Sequence, residues 1–297
     1  MSTRTLLQLA AAAAIMVVVA APDVAAQRGG GRGAAPQPQA PAGPVPKLAD
    51  GKPDFSGHWT NPYTPDMAGG RAGGALDPMT RKPLTFPRKG EPLPDAKAAA
   101  AGGARTYDLP YTEWGLRQWK IYDPVTNGDY AGNCLPFGMS RNINSPHGLQ
   151  IVHSPTALAF LFEQNTWFHW VPLEAGFKWP EDLPETWNGV STGHWDGDTL
   201  VIETSGFNGY TKLDTAGHPH SKQLKLTNTL KRLDSNTIEH TVTVHDPKTY
   251  TQDWMNLRTW RIKPKGDVIM EYSCDENNLH SILDGAIKVW KAPDDID

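Results

Sequence analysis

The chain has 297 residues, with 28 Lys and Arg against 32 Asp and Glu, for a formal net charge of −4. A balance this near neutrality, with its basic residues scattered rather than gathered into a stripe, excludes a surface built for nucleic acid or anionic lipid. The length allows one sizeable domain, and two distant cysteines are too few for a thiolate metal site.

In chain order, Arg4 precedes a mostly apolar run from Leu6 to Ala21, and Val24-Ala25-Ala26 supplies small residues for cleavage near Gln27. That pattern predicts a signal peptide over residues 1–26, hence a periplasmic or secreted protein. No later apolar run is long enough to span a bilayer, so no stable membrane insertion is expected. Residues 27–50, dominated by Gly, Ala, Pro and Gln, read as a disordered linker, and 51–297 as a single β-rich domain.

Phe55, Gly57 and Trp59 alternate with Ser56 and His58, which predicts a first strand. Residues 61–105 are rich in Pro, Gly and Ala and read as a long surface excursion. Thr112 to Ile121 fits one short helix, with Trp114, Leu116, Trp119 and Ile121 on its apolar side and Asp123-Pro124 as its stop. Strand patterns follow at 149–153, 157–162, 166–171, 191–195, 199–204, 223–233, 237–244, 257–262 and 268–273, separated by turn signals such as Asp234-Ser235-Asn236. Short strands at this spacing predict an all-β fold: an antiparallel barrel of the calycin or lipocalin kind, or a sandwich. In an oxidising compartment Cys134 and Cys274 read as one disulfide, closing a loop of about 140 residues and stabilising by roughly 4 kcal/mol.

The chemically densest stretch runs from Val190 to Ser221. Asp196-Gly197 between two β-forming runs predicts a tight hairpin. A Gly-rich polar crossing then carries Asp214, His218 and His220. In extended backbone His218 and His220 point the same way, so they suit either one metal ion, with His194 or His240 completing the set, or proton transfer. Exposed loop histidines are the plainer reading. Asp214 fits an imidazole-orienting role or a turn that caps backbone amides. Glu203 faces away from Leu200 and Ile202: in a lumen it would be a desolvated base, and on an outer wall a solvated acid. His240 shares a strand face with Ile238, Val242 and Val244, as a core residue or a lumen ligand-binding group. Asp196 and Asp198 read as turn-formers. Trp170, Trp179 and Trp187 belong to a tryptophan cluster that lines a ligand cavity or fills a core. No G-x-S-x-G, P-loop, H-E-x-x-H or G-x-G-x-x-G occurs in usable context.

Gly193-His194-Trp195-Asp196-Gly197-Asp198-Thr199-Leu200-Val201 and Gly217-His218-Pro219-His220-Ser221, with Asp214, resemble the G-x-W-[DE]-G-D-T-L-V and G-x-P-H-S motifs of a large family of exported bacterial proteins. Cys134-Leu135-Pro136-Phe137-Gly138, Asp246 to Thr251, Glu271 to Asn278 and Pro53 to Trp59 extend the resemblance to about half the chain. It implies a disulfide, since each cysteine stands in its own motif, but it brings no reaction with it. One departure is plain: Trp170 to Trp179 lacks the Arg and His that such proteins carry ahead of their Trp-Gly stretch. The expectation is therefore an exported barrel with an aromatic-lined cavity, performing lyase, isomerase or hydrolase chemistry on a small molecule or saccharide. His218, His220, Asp214 and Glu203 would act as acids and bases, without a cofactor. A lipocalin-like binding protein and a periplasmic metal-binding protein are the alternatives. Oligomeric state is not readable.

Overall fold

The computed structural model describes residues 41–60, 62–69, 74–94, 105–122 and 134–274. The signal peptide, most of the linker and the Asp123-Pro124 helix stop lie outside the described residues. Nine strands form one antiparallel sheet: β1 Gly57–Thr60, β2 Leu149–His153, β3 Ala157–Phe162, β4 Phe168–Pro172, β5 Val190–Asp196, β6 Thr199–Ser205, β7 Lys225–Asp234, β8 Thr237–His245 and β9 Trp254–Ile262. Their order is β4-β3-β2-β1-β9-β8-β7-β6-β5. The sheet curls until its two edge strands meet, a nearly closed barrel.

Side chains seal the seam between β4 and β5. His169 Nε2 lies 2.6 Å from Ser191 Oγ, which lies 2.7 Å from Thr204 Oγ1. Gly193 permits the close approach, because a Cβ there would stand 2.4 Å from Leu173 Cδ2. Alternation then builds the core: Leu226 and Leu230 of β7, Ile238, Val242 and Val244 of β8, and Trp254 and Trp260 of β9 all point inward and are buried. Each large apolar side chain so buried contributes roughly 1.5–3 kcal/mol. Trp59, Phe160, Leu200 and Ile202 belong to the same core cluster, so among the described residues packed side chains fill the barrel interior.

Several expectations need correction. The hairpin register pairs Asp196 with Thr199, so the turn is Gly197-Asp198, with Gly197 alone taking a positive φ of 59°. Residues 268–273 form no strand. The excursion after β1 is partly core, since Met67, Ala75 and Leu84 are buried in it. Residues 41–50 are tied down: Gly43 and Ser235 exchange hydrogen bonds, and Leu48 bonds Lys52. Helix α1, Glu113–Ile121, forms as expected with Thr112 Oγ1 accepting from Gly115 N, but Ile121 is exposed. A second short helix, α2 Met139–Ile143, was not legible.

The two ends of the barrel differ. At the hairpin end, the Arg232 guanidinium lies over Trp59 and donates to the carbonyls of Asp54, Asp234 and Ser235, plugging the opening. At the other end gather the 205–221 crossing, the 246–253 connection, α1, α2 and residues 62–69. The disulfide between Cys134 and Cys274 spans 140 residues, with a Cα–Cα distance of 5.5 Å. Among the described residues no helix is long and apolar enough to cross a membrane.

Candidate functional site

The crossing carries the site because it is over-determined by hydrogen bonds. Asp214, fully buried, accepts from the backbone N–H of Met67 at 2.7 Å, Gly217 at 3.1 Å and His218 at 3.2 Å. Those bonds fold residues 214–218 into a tight loop. Gly217 sits in it with φ 95°, and a Cβ there would meet the Tyr122 ring at 2.3 Å. The next segment is held by Asp246, whose carboxylate accepts from Ser221 N at 2.6 Å, Ser221 Oγ at 2.8 Å and Thr249 Oγ1 at 2.8 Å. The Tyr250 hydroxyl donates to Pro219 O at 2.7 Å. The two sequence motifs Gly217 to Ser221 and Asp246 to Thr251 are thus each other's binding partners.

His218 is fully buried. Its Nδ1 donates to Asp214 Oδ2 at 2.6 Å and its Nε2 to Asp108 Oδ2 at 3.0 Å. Burial opposes charge on the ring, yet Asp214 and Asp108 outweigh it and hold the pKa well above the ordinary histidine value, so the ring is an imidazolium. Burial likewise pushes Asp214 up, and His218 with the backbone donors overcomes it, leaving that carboxyl below its usual range. The indole of Trp119 stacks on the imidazolium at 4.5 Å and 11°, and the Arg105 guanidinium lies 3.8 Å from the same indole.

Asp108 is where this buried chain reaches the surface: its side chain is 23% exposed, against 0% for Asp214. Its other oxygen accepts from the Tyr111 hydroxyl at 2.7 Å. Burial and then Asp108 raise the Tyr111 pKa well above the usual phenol value, so Tyr111 remains a donor. Tyr111 also lines a cleft of about 200 Å³ with Phe86, Arg88, Tyr107, Leu116 and Thr251. Tyr111, Asp108, His218 and Asp214 therefore form one hydrogen-bonded line from cleft to interior.

His220 is separate from this line. Its Nδ1 donates to Ser221 O at 3.0 Å and its Nε2 accepts from Thr211 Oγ1 at 2.6 Å. Burial pulls its pKa down to about 4, so it is neutral. All four ring nitrogens of His218 and His220 are thereby engaged on different partners, and the shared-metal geometry read from the H-x-H spacing does not form. Asp66, Asp214 and His218 do place ligating atoms within 4.8 Å of one another, but Asp214 and His218 spend theirs on each other.

The remaining candidates disperse. Glu203 and His194 stand on the outer wall, both well exposed and 3.9 Å apart, so neither faces a lumen. His240 is inside the barrel, with Nε2 2.9 Å from Asn228 Oδ1; burial, then Arg258, drives its pKa well below the ordinary value. It is a buried core residue. Trp170 is 41% exposed on β4, Trp179 packs beside it, and Trp187 lies edge-on to Tyr210. Asp108, Tyr111 and Arg105 were missed by sequence reasoning. Asp108-Leu109-Pro110-Tyr111 looks like the lead-in to a helix N-cap, and only the fold brings it within reach of His218. No family model, no curated protein and no solved structure matches this chain, so its site is defined by its own geometry.

Proposed function

We propose that this is an exported barrel protein performing acid–base chemistry on a small, planar, oxygenated molecule that binds where the Tyr111-lined cleft adjoins the solvent-facing edge of Asp108, to which Tyr111 donates. One observation carries the reading. An enclosed imidazolium gives both of its N–H groups to carboxylates, and only one of those carboxylates reaches solvent. Fixed by His218 on one oxygen and Tyr111 on the other, Asp108 keeps lone pairs for the proton of an incoming ligand. In the step envisaged, a ligand C–H or O–H passes its proton to Asp108 while the bonding electron pair stays on the ligand. His218, buttressed by Asp214, keeps the acceptor oriented throughout. Such a step begins lyase, isomerase and hydrolase reactions alike. Export is supported by the leader-like N-terminus together with the disulfide.

A binding protein without turnover is the second reading, favoured by the complete enclosure of His218, which leaves that ring no contact with a ligand. The two separate experimentally. Purified protein is incubated with panels of plant phenolics, glycosides and aromatic acids, and consumption is followed by mass spectrometry. The enzyme reading expects one compound to be consumed by the wild type, with Asp108→Asn binding it in a thermal shift but failing to convert it. Binding without consumption assigns the cleft to ligand capture alone.

A further inference from the structure

The outer wall holds a second concavity, remote in character from the Asp108 cleft. It covers β5 to β8 and measures about 500 Å³, within the range that encloses a small organic ligand. Its floor is a register row running straight across four strands: Thr192 pairs with Glu203, Glu203 with Thr227 and Thr227 with Thr243. Lys225, on the neighbouring row, and the His245–Asp253 pair bound one side.

Trp179 closes the groove with a ring that is already fixed. Its Nε1 donates to Ser191 O at 2.8 Å, and it meets Trp170 and Phe177 edge-to-face at 5.6 Å and 5.3 Å. The aromatic surface continues on β4, where Trp170 and Phe168 are 41% and 67% exposed. Core packing does not call for these outward-facing aromatics, and a rigid exposed aromatic platform beside a polar floor is a feature of binding surfaces.

From this arrangement we infer a surface site for a neutral oligosaccharide. Sugar rings present an apolar C–H face, which suits Trp179, and a rim of hydroxyls that both donate and accept. Thr192, Thr227 and Thr243 offer both functions, Glu203 and Asp253 accept, and Lys225 donates. The chemistry disfavours other occupants. A membrane or apolar peptide would have to desolvate the Glu203 and Asp253 carboxylates, and an anionic glycan would face them directly.

The test uses the intact protein and cellohexaose, xylohexaose and maltohexaose, followed by tryptophan fluorescence and by NMR titration. At least one is expected to bind. Trp179→Ala should weaken it tenfold or more, Thr227→Val several-fold, and Trp179→Phe, which retains a flat ring, only slightly. Asp108→Asn should leave this affinity unchanged, which separates the site from the cleft. Melting curves check that each variant is folded, and Thr227→Val remains decisive if the tryptophan variants are not. Absence of binding by all three sugars at millimolar concentration overturns the inference, as does binding that neither Trp179→Ala nor Thr227→Val alters.

Discussion

His218 and His220 stand one residue apart, on either side of Pro219, and both are almost wholly buried. One is charged and the other neutral. On the His218 side, two carboxylates, a stacked indole and three backbone donors on Asp214 make a pocket that tolerates a cation. On the His220 side, the partners are a hydroxyl and a carbonyl, and burial meets nothing strong enough to oppose it. The contrast teaches that burial alone does not set protonation: equal desolvation yields opposite charge according to whether a carboxylate lies within hydrogen-bond reach. It also explains why only one of the two imidazoles connects to the surface, since only the charged one needs a second carboxylate.

The largest expected effect breaks the comparison from the His218 side. Asp214→Ala leaves a buried cation with one partner lost and the backbone N–H groups of Met67 and His218 unmatched, and should cost about 3–5 kcal/mol in urea unfolding. Thr211→Val, which deprives neutral His220 of its hydrogen-bond donor, should cost only about 1–3 kcal/mol. Equal losses for the two variants would mean that the charge difference is not there.

A pH series sharpens it next. His220 has a folded pKa of about 4, against about 6.5 when unfolded. Its contribution, up to about 3 kcal/mol, is complete above about pH 6.5 and lost as pH falls towards 4. His169, also pulled to about 4 by burial, acts in the same direction. His218 acts oppositely: its raised pKa gives stability complete below about pH 6.5 and lost only as pH climbs through the folded value. Asp214, depressed, adds stability that is complete above about pH 4 and is lost as pH falls from there through its own lowered pKa. Stability measured from pH 8 to pH 4 should therefore fall from about pH 6.5 downward. His220→Gln should make that acid limb shallower, the remainder coming from His169 and His240, and His218→Gln should leave it intact. The reverse pattern would overturn both charge assignments.

The smallest effect is local. Gly217→Ala places a methyl group against the Tyr122 ring in a left-handed backbone, and should cost about 1–3 kcal/mol. The near-ultraviolet circular dichroism of Trp119, stacked on His218, should change, while NMR signals of the His220 ring should not. A shift of both rings would show that the two sides form one unit.

Much of the barrel was legible because its rule is local. Leu224, Leu226 and Leu230 alternate with Lys225, Thr227 and Thr229, and period-two alternation demands a wet and a dry face wherever the strand is placed. The disulfide could be read from compartment and count. Part of the site was legible too: Asp214 and His218 lie four residues apart, within one loop. Asp108 lies 110 residues from His218, and nothing in its own neighbourhood marks it. The H-x-H spacing misled for a related reason, since two parallel imidazoles make a metal site only if their surroundings leave the nitrogens free.

What the amino-acid order determined by itself was the run of strands, the position of the hairpins to within a residue and the reactive residue types on the crossing. Which way Glu203 faces, that the barrel interior is filled, and which histidine carries a proton were decided only when distant segments met. Strand formation follows from alternation along the chain, whereas protonation depends on charges and solvent within a few ångströms, and only the closed fold brings these together.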